Sequence, residues 1–352
     1  MSEIFQSSGK NSTPKSTRFV FLDSLRGILS LSVVVGHSTF QFSGTTFNPN
    51  MSVAVPFFFA LSGFVLHHAY EVRLAAGLAF RRFFIERLVR LLPLVVVAGF
   101  VASAYVFTYA DTKLFDEQWY VILASLISTF TTLPSPFLAV DNWRWPLNHP
   151  LWSLFAEFVA SFLYGAILYR TTTWILAATS AFFFFAASFL SLRNGVLSPG
   201  LTGGMALTFF SFNLGVIIRK VHSHRPNSSS LPGYGAAAML TFVVFTPLEF
   251  SLFLTLLLLP IIISFTLRYS ASVTVHGKMQ DICEMLGRVS YPLYIIHWPI
   301  MLMIKQSNIF TTQFSYTMAT VITCFLISLF LERYYDIPIR RYLLAKARAA
   351  QS

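Results

Sequence analysis

Arg26 and His37 stand eleven positions apart in LDSLRGILSLSVVVGHS, an otherwise apolar stretch with room for one membrane crossing. Ionisable side chains are expensive inside a bilayer and mark function by default. On a helix the two are separated by roughly 16 Å along the axis, about half the hydrocarbon thickness. A guanidinium at the membrane surface can then hold an anionic ligand while the imidazole does chemistry further in. A neutral imidazole takes the proton of an attacking hydroxyl, and a nearby carboxylate can fix its tautomer or stabilise the imidazolium.

Other ionisable groups fall at a similar depth. His297 lies nine residues beyond Arg288, and Glu157 lies thirteen before Arg170. Measured from those basic residues, His37, His297 and Glu157 all sit roughly 14–20 Å from the cytosolic face. His149, just ahead of the same span as Glu157, is near the same side. One histidine in a span is readily explained as a packing residue, but three ionisable groups at one depth favour a polar pocket. In AFRRFFIERLVRLLP (79–93), Arg87 and Arg90 are three apart and project from one helix face. Arg81 and Arg82 read as anchors to anionic headgroups. Arg87 and Arg90 sit close in depth to Arg26, and guanidinium groups at the mouth of a bundle match phosphates by bidentate hydrogen bonding.

The elements that position these groups are membrane spans. Of 352 residues 55% are hydrophobic and only 11% charged, so the chain reads as an all-α polytopic membrane protein. Hydropathy places ten spans near 25–43, 51–70, 91–110, 151–169, 173–191, 202–219, 234–250, 251–268, 289–305 and 315–332. The stretch 119–136 ends in two prolines and is short for a crossing, so it is expected to be interfacial or re-entrant. With the N-terminus inside, all of the 25 Lys and Arg except Lys113, Arg144, Arg193 and Lys305 face the cytosol, which places both termini there. The net charge of +11 is therefore loop charge, and nucleic acid is not an expected partner.

Residues 1–17 form an expected polar cytosolic tail without a cleavable signal, 18–335 a single transmembrane domain and 336–352 a basic cytosolic tail. VHSHRPNSSSLPG (221–233) reads as a cytosolic connector. Cys283 and Cys324 give neither a disulfide nor a metal cluster. Ser62 and Gly63 in PFFFALSGFVL permit close helix approach. SYPLYIIHWP (290–299), with a proline near each end, is expected to form a kinked span whose freed carbonyls need partners. His67, His68, His222, His224 and His276 read as surface histidines.

Five segments in order carry a family resemblance: LDSLRGILSLSVVVGH (22–37), VPFFFALSGFVL (55–66), ERLVRLLP (86–93), PLWSLFAEF (150–158) and LGRVSYPLYIIHWP (286–299). Each is a weak apolar motif, and together they are specific. The chain resembles the integral-membrane acyltransferases of acyltransferase family three, in the short form without the esterase-like C-terminal domain. The resemblance implies a ten-helix protein of the cell membrane. Such a protein moves an acyl group, commonly acetyl, from cytosolic acyl-CoA to a hydroxyl of a sugar, exopolysaccharide or lipid-linked glycan at the outer side. By that likeness His37 matches the catalytic histidine, Arg26 its basic partner, Arg87 and Arg90 the Arg-x-x-Arg pair associated with acyl-CoA, and Trp152 with Glu157 the Trp-x-x-x-x-Glu element. Two positions depart from the family pattern: Phe158 stands where many members have a second acidic residue, and Pro56 where many have Asp.

The expected mechanism places acyl-CoA phosphates against Arg26, Arg87 and Arg90, with His37 as general base or transient acyl carrier and Glu157 orienting it. Asp23, Ser62, His149, Trp152, Tyr291 and His297 complete the expected pocket, with no metal. Trp119, Tyr120, Trp143 and Trp145 are of a type that stacks on sugar faces or anchors at the interface. The alternative is a secondary transporter or exporter of a glycan, lipid or metabolite, which also places polar groups midway through a bundle. Against it, the chain has no detectable inverted repeat and no matching pair of broken helices.

Overall fold

A computed structural model describes residues 19–109, 112–136, 144–197, 200–222 and 230–349, and every regular element among them is helical. The order is α1 (Val20–Ser43), a 3-10 turn (Pro49–Val53), α2 (Ala54–Ala75), α3 (Phe80–Tyr109), α4 (Thr112–Thr131), α5 (Leu151–Ala166) and α6 (Thr173–Asn194). It continues through α7 (Gly200–Val221), α8 (Leu231–Phe245), α9 (Leu252–Ser270), α10 (Gly277–Gln306), α11 (Gln313–Leu331), a π turn (Glu332–Asp336) and α12 (Ile337–Ala349). Local chemistry sets several ends. α1 stops at Gly44, whose φ of +78° suits glycine, while the Ser251 and Thr312 hydroxyls accept from the Leu254 and Ser315 amides to cap α9 and α11.

Seven segments are long and apolar enough to cross a membrane: Val20–Ser43, Pro49–Ala75, Phe80–Tyr109, Thr173–Asn194, Gly200–Val221, Leu252–Ser270 and Gln313–Ala349. Three of the expected ten spans fall outside that set. α5 and α8 are apolar but only 16 and 15 residues long. The third, 289–305, is the second half of α10, where tyrosines, His297 and two prolines dilute an apolar stretch. That stretch is buried from Val289 to Met301 almost throughout, so other helices surround it and it has no need of a lipid-compatible surface. Phenylalanines divide between core and periphery: Phe57, Phe64, Phe83 and Phe212 are fully buried, whereas Phe182, Phe185 and Phe189 on α6 are exposed.

Two further stretches prove helical. The stretch 119–131 belongs to α4, which packs on α3 with the Phe130 ring against Gly99. Residues 337–349, expected as a tail, form α12; the Asp336–Arg340 ion pair across its start is an i, i+4 contact that a helix makes possible.

Two glycine-lined crossings hold the bundle together. α1 and α10 form its most extensive helix pair, and α2 with α7 the next. A Cβ on Gly27 would strike the Leu286 carbonyl, and one on Gly287 would meet the Asp23 Cβ at 2.7 Å. Likewise, Cβ atoms on Gly63 and Gly215 would strike the carbonyls of Phe212 and Ala60. Backbones this close exclude any larger side chain. Gly215→Val is expected to force α2 and α7 apart and cost roughly 1–3 kcal/mol, read as a lower thermal midpoint in detergent; an unchanged midpoint would show that the crossing has slack.

α10 shows how its prolines are accommodated. Pro299 has no N–H to offer the carbonyl four residues back, that of Ile295. The Asn148 side chain, buried just before α5, donates to that oxygen at 3.0 Å. The same replacement of a lost bond fixes α5 against α10, and so sets where Ser153 and Glu157 stand.

Candidate active site

The α1–α10 crossing, the mouth of α3 and the inner face of α5 enclose a cavity of about 510 Å³. Its lining begins where α1 and α3 start and α2 ends, with Phe19, Asp23, His68, Arg87 and Arg90. It runs up past Ser30, Ser62 and Glu157 to Ser153, Tyr294 and Ile295. Five arginines (Arg26, Arg87, Arg90, Arg288 and Arg340) line it against three carboxylates (Asp23, Glu157 and Asp336). The excess is cationic, at the end of the bundle where the basic loops gather.

Each arginine is held differently. Arg26 is clamped across the helix crossing: its Nε donates to Ser290 Oγ at 2.8 Å, one Nη to the Gly287 carbonyl at 3.0 Å, and another pairs with Asp23 at 3.3 Å. Arg87 is 4% exposed and donates to Glu157 Oε1 at 2.7 Å, and the same oxygen accepts from Ser62 Oγ at 2.9 Å. Arg87 Nε is buried with no hydrogen-bond partner among the described residues. Arg90 lines the same wall with no hydrogen bond to the described residues, leaving its donors for a ligand. Arg340 is paired with the buried Asp336 and Arg288 with Glu332, which hang α12 and the π turn onto the cavity rim.

A second constellation lies beyond the cavity. His37 Nδ1 and His297 Nε2 are 2.9 Å apart with the ring planes within 11° of parallel, and His297 Nδ1 lies 2.8 Å from the Tyr294 carbonyl. Trp298 stands edge-on to His37, and His149 lies beside Trp298 with ring centroids 5.5 Å apart. Desolvation, then the neighbouring His297, push the His149 imidazole down to about 4, so it is neutral at pH 7.

Of the expected site residues, Asp23, Arg26, Ser62, Arg87, Arg90, Glu157 and Tyr291 line the cavity, the last with its hydroxyl donating to the Leu91 carbonyl at 2.6 Å. His37, His297 and His149 gather beyond it. Tyr294 joins the two constellations: its hydroxyl lies 2.8 Å from Ser153 Oγ at the cavity wall, and its ring centroid is 5.9 Å from that of His297. Glu157 has Arg87 and Ser62 as partners rather than His37, and the side chain hydrogen-bonded to His37 is another histidine, His297. Trp152 packs on Phe59 and over Gly204, outside the cavity lining.

Two histidines read as surface groups are not. His67 is 1% exposed with Nδ1 2.9 Å from the Tyr164 hydroxyl, and His68 lines the cavity and meets an Arg219 Nη at 2.9 Å. Trp145 is buried with its indole N–H donating to the Thr132 carbonyl, so it is unavailable for stacking; Trp119 and Tyr120 are exposed, and Trp143 and His224 lie outside the described residues. Sequence reasoning passed over Ser153, Tyr294, Asp336 and Arg340. Ser153 stands four residues before Glu157, one helical turn away on the same face, and that spacing was the available signal.

Comparison with known proteins gives a consistent picture. The model of a family described as acyltransferase domain matches residues 19–333. A protein of Rhizobium radiobacter named "Protein 2 in picA locus" is 36% identical over 177 residues, covering 47% of this chain and 91% of that protein. No solved structure matches. With the family model covering nearly the whole chain, and several helices apolar enough to span a bilayer, the chain belongs to acyltransferase family three and is an integral membrane acyltransferase.

Proposed function

We propose that this protein moves an acyl group, acetyl in the simplest case, from acyl-CoA to a hydroxyl of a sugar, exopolysaccharide or lipid-linked glycan across a ten-span cell-membrane bundle with both termini in the cytosol. One observation carries the reading: an arginine-lined cavity at the basic end of the bundle ends one residue, Tyr294, short of a hydrogen-bonded pair of imidazoles. Phosphates of the donor sit against Arg90 and the inward guanidinium of Arg87, with Arg26 and Arg340 completing the positive rim. The thioester enters past Ser62 and Tyr291. Ser30 on the wall is seven residues before His37, so about 10 Å of further rise separates the lining from the imidazole. The Tyr294 side chain must turn aside for the thioester to cross it.

At His37 the acceptor hydroxyl gives its proton to the free ring nitrogen and its oxygen attacks the thioester carbonyl carbon. The new C–O bond forms, the C–S bond breaks, and the leaving thiolate takes the proton back from the imidazolium. Glu157 holds Arg87 in place through the shared contact with Ser62. The exposed Trp119 and Tyr120 on α4 supply flat faces of the kind that stack on sugar rings.

Purified protein incubated with acetyl-CoA and a glycan or lipid-linked acceptor is expected to release free thiol in an acceptor-dependent way, with the acyl group recovered on the acceptor by mass spectrometry. Passage of an unmodified glycan across a vesicle membrane without thiol release would replace this reading with transport.

A further inference from the structure

The hydrogen bonds around His297 determine which nitrogen of His37 carries its proton, and this rests on His37 being the base proposed above. A carbonyl oxygen only accepts, so the 2.8 Å contact between His297 Nδ1 and the Tyr294 carbonyl requires a proton on Nδ1. A neutral imidazole has one N–H, which leaves His297 Nε2 as an acceptor. That nitrogen lies 2.9 Å from His37 Nδ1, so His37 Nδ1 must be the donor. The His37 proton is then committed to Nδ1, and its Nε2 is left with a lone pair and no hydrogen bond among the described residues. His297 is 0% exposed and sits on α10 within the stretch closed on both sides by Pro292 and Pro299, so its ring cannot swing to another partner without disturbing the core.

We infer that His297 is the positioning residue of the reaction: a buried neutral imidazole, anchored on the Tyr294 carbonyl, that fixes His37 as the Nδ1–H tautomer and presents Nε2 to the acceptor hydroxyl. The same contact serves the next step. When Nε2 takes the hydroxyl proton, the charge on the His37 ring is shared through Nδ1–H with His297 Nε2, whose own N–H stays on the carbonyl. No carboxylate is needed at His37, which accounts for Glu157 being committed to Arg87 instead.

The decisive measurement is 15N NMR of histidine-labelled protein in lipid nanodiscs, with the His37 signals identified by their loss in His37→Gln. The expected result is the Nδ1–H tautomer for His37 in the wild type; an Nε2–H tautomer overturns the inference. Two variants add the kinetic arm. In His297→Gln the amide oxygen accepts from His37 and the amide N–H donates to Tyr294, so turnover is expected to stay within about tenfold of wild type. In His297→Phe the ring volume remains but both hydrogen bonds go, and kcat is expected to fall by about 10²–10⁴-fold with the KM for acetyl-CoA unchanged. Full turnover in His297→Phe, or equal loss in both variants, would count against the tautomer assignment. An active His37→Gln would instead remove the base assignment itself, which separates the two failures, and the wild-type spectrum is informative whether or not either variant folds.

Discussion

His37→Ala is expected to lower acyl transfer by about 10²–10⁴-fold while leaving acyl-CoA binding as it is in the wild type. The separation follows from geometry: the cavity that is proposed to hold the donor is lined by residues of α1 only as far as Ser30, and His37 is two turns further along the same helix. Removing an imidazole there deletes the proton acceptor and does not touch the guanidinium wall. His297 keeps its bond to the Tyr294 carbonyl, so the core around α10 loses only the His37 hydrogen bond and the edge contact of Trp298. Turnover and CoA affinity measured on the same preparation check both halves. Near-wild-type turnover would show that the base lies elsewhere. A matched loss of CoA affinity would show that the imidazole supports the binding wall, and the division into two constellations would fail.

The other large effect belongs to Arg87. Arg87→Ala removes a charged donor facing the cavity and is expected to weaken acyl-CoA binding about 10–100-fold. It also leaves Glu157 with Ser62 alone. A fully buried ion pair that loses one partner costs about 3–5 kcal/mol. The Glu157 side chain keeps 24% exposure, which lowers the expectation to about 1–3 kcal/mol. Glu157→Gln in the Arg87→Ala background should restore much of that stability, because the amide carries no charge to strand, yet leave the donor affinity low. Thermal midpoints and CoA titrations on the single and double variants form the cycle. If CoA affinity survives loss of both Arg87 and Arg90, phosphate docking on this wall is wrong.

Membrane embedding, the all-helical architecture and the arginines of the cavity wall were legible in sequence because each leaves a local trace. Long apolar runs, Arg87 and Arg90 three apart on one face, and Arg26 at the edge of a span are all properties of a single segment. Loop charge set the expected topology for the same reason. Span count was harder, since a helix enclosed by others, such as the second half of α10, can be polar and proline-rich and still sit inside the bundle.

Pairings were the part that no segment could reveal. Depth counting put His37, His297 and Glu157 at one level and so predicted a carboxylate beside the base. Depth says nothing about rotation of a helix about its axis, and that rotation turned Glu157 to Arg87 and His37 to His297. Gly27 and Gly287 bring α1 and α10 to backbone contact, and that closeness joins residues 260 positions apart in the chain into one hydrogen bond. The residue types and their positions along each helix were thus determined by sequence, because the cost of placing a polar group in lipid acts on each helix separately. Which charge meets which proton was decided by tertiary structure, because packing alone sets how the helices face one another.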